Sequence, residues 1–275
     1  MSSPSFGSRS PKGGSALIPA AKSVPFRRLF ALYQSLYLFP RHLHGVYLWG
    51  ELEPEAGAAA GAGGVGKLPV VYAANHVSWW DGLVLFQLTE RLTQSDPYIL
   101  MDEKGLREYP FFRRLGAFSV NRDQPRDALA SLAYAETKLR AGHPLWIFPQ
   151  GAITPPDRPI EALGGIGHLL RRLGPAELRP VTLHYALGDH QKPAATVMAG
   201  EPIRRDWSAL SRDEAAALVA GLLQRQLEVH RRELTDRPLP DGGRFRLALR
   251  GGQSTSDRYR GWKEGWRRWK PFSRS

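Results

Sequence analysis

Asn75-His76-Val77-Ser78-Trp79-Trp80-Asp81 joins two apolar runs of different kinds. Before it, Val70-Val71-Tyr72-Ala73-Ala74 reads as a buried strand; after it, Leu83-Val84-Leu85-Phe86-Gln87-Leu88 reads as a helix. A His that leaves a strand and an Asp that opens a helix can meet at the carboxyl edge of a sheet, where open α/β folds place their chemistry. On one continuous helix, residues five apart point about 140° away from each other, since each step turns about 100°. His76 and Asp81 can therefore share a hydrogen bond only if the chain passes from loop to helix between them. Ser78-Trp79-Trp80-Asp81 supplies that passage, because it has the pattern of a helix-start capping box. The same pattern leaves two roles open for Asp81: it orients the imidazole, or it only caps backbone N–H groups.

Outward from this turn the chain alternates. Pro97 to Met101 reads as a strand, and Glu103 to Leu115 as a helix interrupted at Pro110. Ala117 to Val120 is a strand, Asp127 to Arg140 a helix ending at Gly142, and Leu145 to Phe148 a buried strand. Glu161 to Leu173 reads as a helix stopped by Gly174-Pro175. Val181 to Tyr185 and Ala195 to Met198 are strands, and Asp213 to Leu234 is a long helix. Such alternation predicts an α/β fold, a mainly parallel central sheet flanked by helices.

Two further stretches continue the motif. Gly116-Ala117-Phe118-Ser119-Val120-Asn121-Arg122 and Leu145-Trp146-Ile147-Phe148-Pro149-Gln150-Gly151 follow at the loop-and-element spacing of an α/β domain. In this order the chain resembles the glycerolipid acyltransferases of the lysophosphatidic acid acyltransferase superfamily, over roughly residues 68 to 200. His76 to Asp81 matches that family's His-four-residues-Asp box. Gly116, Phe118 and Arg122 match its second motif, Phe148-Pro149-Gln150-Gly151 its third, and Arg179-Pro180-Val181 resembles its apolar-Pro fourth. The resemblance implies the acyltransferase fold and an enzyme of the 1-acylglycerol-3-phosphate O-acyltransferase kind, working in phospholipid biosynthesis. It also implies contacts to substrate from Arg122, Gln150, Gly151 and Phe118. One departure stands out. The family's third motif usually reads Phe-Pro-Glu-Gly-Thr-Arg, and here Gln150, Ala152 and Ile153 replace the Glu, Thr and Arg. In the family that Glu and Arg help to hold a polar acceptor, often a glycerol phosphate. Gln150 keeps hydrogen-bonding capacity without charge, and the lost Arg removes a bidentate phosphate clamp. Arg158 lies near in sequence as a substitute.

Acyl transfer from a thioester to an alcohol needs a general base, since hydroxyls are poor nucleophiles near neutrality. His76 is the candidate base and Asp81 the partner of its other ring nitrogen. Backbone N–H groups near Gly151 or at the helix start after Ser78 are both candidates for the oxyanion. Arg122 reads as an anion contact, or as a surface ion pair with Asp123 or Asp127. No cofactor and no metal site is expected; the acyl group would arrive on coenzyme A or an acyl-carrier protein. With no cysteine, neither a Cys acyl-enzyme nor a Cys-based zinc site is possible, and Gly-x-Ser-x-Gly does not occur. Ser78 reads as a cap rather than a nucleophile, and His42 and His44 as interfacial side chains rather than metal ligands. Gly61 to Lys67 mimics a phosphate loop. It ends in Leu68 rather than Ser or Thr and precedes a strand, so it reads as part of a flexible Ala/Gly loop over 55–67.

At 275 residues and 42% hydrophobic, the chain can bury one core. Its net charge of +12 and pI near 10.2 point to an anionic partner. The Trp-, Arg- and Lys-rich run from Arg258 to Lys270 suits a bilayer headgroup zone and also single-stranded nucleic acid. The acyltransferase resemblance favours an anionic membrane surface and makes nucleic acid the unlikely partner. No apolar stretch is long enough to span a bilayer, and Phe26 to Phe39 reads either as an interfacial helix or as a helix packed on the core. No signal peptide is expected.

The organisation expected is therefore a disordered 1–24 segment, an interfacial helical segment over 25–50, an acyltransferase domain over 51–240 and a basic aromatic tail over 241–275. The leading expectation is a peripheral O-acyltransferase on the cytoplasmic side of a membrane, with a thioester donor and a lysophospholipid or related glycerolipid acceptor. A glycolipid or glycosylated isoprenoid acceptor is the second, and a noncatalytic lipid- or nucleic-acid-binding protein on the same scaffold the third.

Overall fold

The computed structural model describes residues 17–53, 68–188, 190–239, 243–254, 256, 259 and 262–263. The Ala/Gly loop over 55–67 and most of the run from 258 to 270 lie outside the described residues.

A sheet of nine strands among the described residues organises the molecule. Its strands are β1 (Gly45–Trp49), β2 (Val70–Ala74), β3 (Tyr98–Asp102), β4 (Ala117–Val120), β5 (Leu145–Ile147), β6 (Pro175–Ala186), β7 (Ala194–Ala199), β8 (Ile203–Asp206) and β9 (Arg246–Arg250). They lie in the order β4-β3-β5-β2-β6-β7-β1-β9, with β8 paired to β6. Pairing is parallel from β4 through β6 and between β1 and β7, and antiparallel at β6–β7, β6–β8 and β1–β9. The fold is thus α/β with a mainly parallel sheet.

Strand β2 shows why both faces are covered. All five of its residues are buried, and its alternation splits them between two cores. Val71 and Ala73 join the core beneath α6 (Pro125–Arg140), α7 (Gly164–Leu173) and α8 (Arg212–Asp236). Val70, Tyr72 and Ala74 join the core beneath α2 (Phe39–His42) and α3 (Asp81–Leu92). Each fully buried leucine, such as Leu169 of α7 or Leu88 of α3, contributes about 1.5–3 kcal/mol over leaving it exposed. Helices α7 and α8 pack closely at Gly167, where a Cβ would fall 1.9 Å from the Arg212 carbonyl oxygen.

The expected boundaries change in three places. β1 lies within the 25–50 segment and pairs with β7, and β9 lies within the 241–275 tail and pairs with β1. Both therefore belong to the domain. The basic ends of Arg246-Leu247-Ala248-Leu249-Arg250 hide its strand alternation in a run of charge. Residues 17–24 of the 1–24 segment are ordered. Ile18 N–H donates to the Ser119 hydroxyl, Ser119 N–H donates to the Ile18 carbonyl, and Ala21 N–H donates to the Arg113 carbonyl.

Helix α1 (Val24–Tyr33) continues through a π-helical turn over Gln34–Leu38 into α2. One side is docked: Arg27 pairs with Glu90 and Asp96, Phe30 meets Phe86 and Phe111, and Phe39 is buried. The other side presents Leu29, Leu32, Tyr33, Leu36 and Tyr37 to solvent at the period of a helix stripe. One face is thus packed on the core, and the other is an exposed apolar stripe. Among the described residues no helix is long and apolar enough to cross a membrane.

Candidate active site

At the end of β2 the Asn75 side chain takes over the ladder. Its amide donates to the Leu183 carbonyl at 3.0 Å, and its carbonyl accepts from Leu183 N–H at 2.7 Å. The backbone is then free to turn away at His76. Three contacts hold that residue. Its N–H donates to Gln150 Oε1 at 2.7 Å, its carbonyl accepts from Thr154 N–H at 2.9 Å, and its ring stacks on Phe148 at 4.2 Å.

His76 Nδ1 lies 2.8 Å from Asp81 Oδ2. The same oxygen accepts from Val77 N–H at 2.7 Å and Ser78 N–H at 2.9 Å. Asp81 thus does both things left open by the sequence: it bonds the imidazole and gathers the backbone donors of the turn. The capping box is only half formed. Asp81 reaches back to Ser78 N–H, but the Ser78 hydroxyl accepts from Trp80 N–H at 3.2 Å, and α3 begins at Asp81 itself with Trp80 as its cap residue. Asp81 is fully buried, and its other oxygen accepts from the Tyr185 phenol at 2.8 Å. Burial, and then the Asp81 charge, push the Tyr185 phenol well above its usual pKa, so it is a proton donor throughout the physiological range. The sequence pattern contains no sign of Tyr185, because it comes from the end of β6 and belongs to none of the motifs.

With Nδ1 committed to Asp81, Nε2 is left for the cavity that His76 lines. This cavity has a volume of about 550 Å³. Its interior is apolar, with Phe86, Phe112, Leu132, Ile147 and Ile166 among its walls, and exposed Trp79, Ile153 and Leu163 stand on its lining. Among the described residues its charged ones are Asp102, Glu108 and Arg122.

The remaining expected site residues divide. Gly151 lines the cavity with φ 71°, and a Cβ there would fall 2.5 Å from Leu163 Cδ1 and 2.9 Å from Arg122 Nη1. Its own N–H is spent on the Phe148 carbonyl at 3.0 Å. Arg122 reaches the cavity, and its ion-pair partner is Asp102, at 3.4 Å, rather than Asp123 or Asp127. Gln150 does not line the cavity. Its carbonyl oxygen serves His76 N–H and its amide donates to the Thr154 hydroxyl, so the side chain turns inward to brace the His76 backbone. Phe118 is not at the cavity either. It is fully buried, packed on Tyr98 and Tyr134 beneath α6, while its neighbours Ala117 and Val120 reach the cavity wall. Arg158 is not part of the lining. Arg179, of the fourth motif, bonds the Leu52 carbonyl and the Tyr72 phenol and pairs with Glu177, away from the cavity. His42 lies against the Trp80 ring, and His44 stacks on His190.

Residues 58–184 match the family model Acyltransferase. Among solved structures, the crystal structure of the 1-acyl-sn-glycerophosphate (LPA) acyltransferase PlsC from Thermotoga maritima is similar, with a TM-score of 0.50 and 17% identity. That match covers 75% of this chain and 78% of that one, a likeness of fold. No significant match is found among curated proteins. The family match falls on the stretch that carries the His76–Asp81 turn, and the surrounding sheet has the corresponding architecture: over residues 58–184 the chain is similar to the acyltransferases of the lysophosphatidic acid acyltransferase superfamily.

Proposed function

We propose that the protein is a peripheral membrane O-acyltransferase that moves a fatty acyl group from a coenzyme A or acyl-carrier-protein thioester to a hydroxyl of a lysophospholipid or related glycerolipid. One observation carries this reading: an imidazole oriented by a buried carboxylate stands at the wall of an apolar cavity of about 550 Å³. His76 Nε2 takes the hydroxyl proton as the acceptor oxygen attacks the thioester carbonyl. Asp81 stabilises the imidazolium that forms. The C–S bond then breaks, and the proton returns to the departing thiolate, leaving an ester and a free thiol. The start of α3 reaches the cavity at Gly82, and a helix start carries unspent N–H donors suited to the oxyanion.

Membrane contact has its own support. The exposed stripe of α1 connects by ring contacts to the cavity wall, through Tyr33, Phe30, Phe111 and Tyr109 to Trp79. With a net charge of +12, this apolar path suits an anionic bilayer as both docking surface and substrate source.

A second reading keeps the chemistry and changes the acceptor to a glycolipid or glycosylated isoprenoid. It is favoured by the cavity's charged groups: Arg122 is shared with Asp102, Glu108 adds another carboxylate, and Ile153 stands where the family has an arginine. An acceptor panel separates the two. Purified protein is given acyl-CoA or an acyl-carrier-protein thioester, with either lysophosphatidic acid or a neutral glycolipid alcohol, and ester product and free thiol are both measured. Preference for the phosphate acceptor supports the first reading and preference for the neutral one the second. Absence of product with every acceptor and both thioester donors contradicts acyl transfer.

A further inference from the structure

Strand β6 outruns its neighbour. Its pairing with β2 ends at Val181 opposite Ala74, and residues 182–186 continue in partnership with β7 alone. That overhang runs beside the turn from Asn75 to Asp81. Leu183 and Tyr185 are two residues apart and so point to the same face, the one that packs against α3. Leu183 receives the Asn75 side chain, and Tyr185 reaches Asp81.

The two Asp81 oxygens are loaded unequally. Oδ2 takes the imidazole and two backbone N–H groups, while the described donor to Oδ1 is the Tyr185 phenol at 2.8 Å. A fully buried carboxylate oxygen without a donor is costly. Without the phenol, a small shift of the carboxylate would relieve that cost and tilt the imidazole with it, while Oδ2 keeps its bond to Nδ1. Tyr185, Asp81 and His76 therefore form one chain of hydrogen bonds, two members of which come from the turn and one from β6.

We propose that Tyr185 is a positioning residue for the His76–Asp81 pair: its phenol fixes the plane of the Asp81 carboxylate so that Oδ2 holds Nδ1 and leaves Nε2 facing the cavity. The inference rests on the acyl-transfer reading for its kinetic consequence, and on geometry alone for its effect on the imidazole. The phenol proton draws carboxylate charge toward Oδ1. Removing it makes more of that charge available to an imidazolium and favours the protonated ring; a better donor does the reverse. The other charged groups facing the same cavity, Asp102, Glu108 and Arg122, stay unchanged in both cases.

The test uses two full-length variants, Tyr185→Phe and the chain with 2,3-difluorotyrosine at 185, which is close in size and a stronger donor. The titration midpoint of the His76 imidazole is followed by NMR on ¹⁵N-histidine-labelled protein. Steady-state transfer is measured with acyl-CoA and the best acceptor of the panel. Tyr185→Phe should raise the His76 midpoint, the fluorinated variant should lower it, and kcat of Tyr185→Phe should fall about tenfold with KM within about twofold. Opposite shifts cannot come from a loosened fold, which would move both variants the same way. Shifts of one sign in both variants, or none, overturn the proposal, as does an unchanged kcat in an active enzyme. Opposite midpoint shifts in a protein without transferase activity would uphold the positioning role and remove the acyl-transfer reading instead.

Discussion

In the turn from Asn75 to Asp81, polar groups are held from several directions. Asp81 alone gathers four donors, the Asn75 side chain forms two bonds with Leu183, and the His76 backbone is clamped at both its N–H and its carbonyl. The charged side of the same cavity is looser. Among the described residues Arg122 has one carboxylate partner, at 3.4 Å; both side chains are partly exposed, and Ile153 projects toward solvent. Groups that must keep one geometry through a reaction gain from such preorganisation. Groups that select a partner can be rebalanced by a single charge. The turn is accordingly the expected seat of rate, and the Arg122 side the expected seat of acceptor choice.

Substitutions should separate the two regions. The largest effect belongs to Asp81→Asn, which replaces an acceptor of four donors by an amide with donors of its own. In steady-state assays kcat should fall by roughly 10³–10⁴-fold with little change in KM, the size seen when a His loses its orienting carboxylate. A smaller and different effect is expected across the cavity. Arg122→Ala should raise KM for a phosphate-bearing acceptor by about tenfold and leave kcat nearly intact, whereas Asp102→Asn, which frees Arg122, should lower that KM. A neutral acceptor should respond to neither. If Arg122→Ala instead cuts kcat for every acceptor alike, the division between the regions fails.

Gln150→Glu probes the boundary between them. A carboxylate can still accept from His76 N–H, and the Thr154 hydroxyl can turn to donate, so kcat and the melting temperature should stay within about threefold and a few degrees of wild type. A marked new preference for phosphate-free acceptors would show that the side chain faces the acceptor after all.

An effect on stability rather than on rate lies on the opposite face of the sheet and serves as a control for pH profiles. Buried His230 is hydrogen-bonded by Thr182 and Thr196 at 2.9 and 2.8 Å, and burial, then the His184 and Arg231 charges, push its pKa down to about 3. Its folded pKa is below its unfolded value, so the unfolded chain binds the extra proton between the two. Stability should be intact above about pH 6.5 and fall by about 1.4 kcal/mol for each pH unit below it, down to about pH 3. Denaturant titrations across that window should show a shallower slope in His230→Gln. Equal slopes would mean that His230 does not titrate this way.

The sequence discloses the fold where periodicity is strong. The apolar run of β2, the Pro110 break between α4 (Glu103–Glu108) and α5 (Phe112–Leu115), and the Gly174 stop after α7 all act locally. The strands that escape notice, β1, β8 and β9, draw their stability from distant partners, and β8 and β9 are rich in arginine. The site divides in the same way. His76 and Asp81 are legible because five positions and a change of backbone conformation bring them together. Tyr185 is 104 positions from Asp81 and arrives only through the overhang of β6. The inward orientation of Gln150 and the burial of Phe118 depend on which side of the chain faces the cavity, and a motif does not record that.

The most direct test of the account is His76→Ala in purified protein supplied with acyl-CoA and acceptor, with free thiol and ester product followed together. The wild type should release thiol in step with ester, and the variant should lose roughly 10²–10⁴-fold in rate while keeping its melting temperature within a few degrees. Undiminished turnover by the variant would contradict the assignment of His76 as the base and, with it, the proposed chemistry of this cavity.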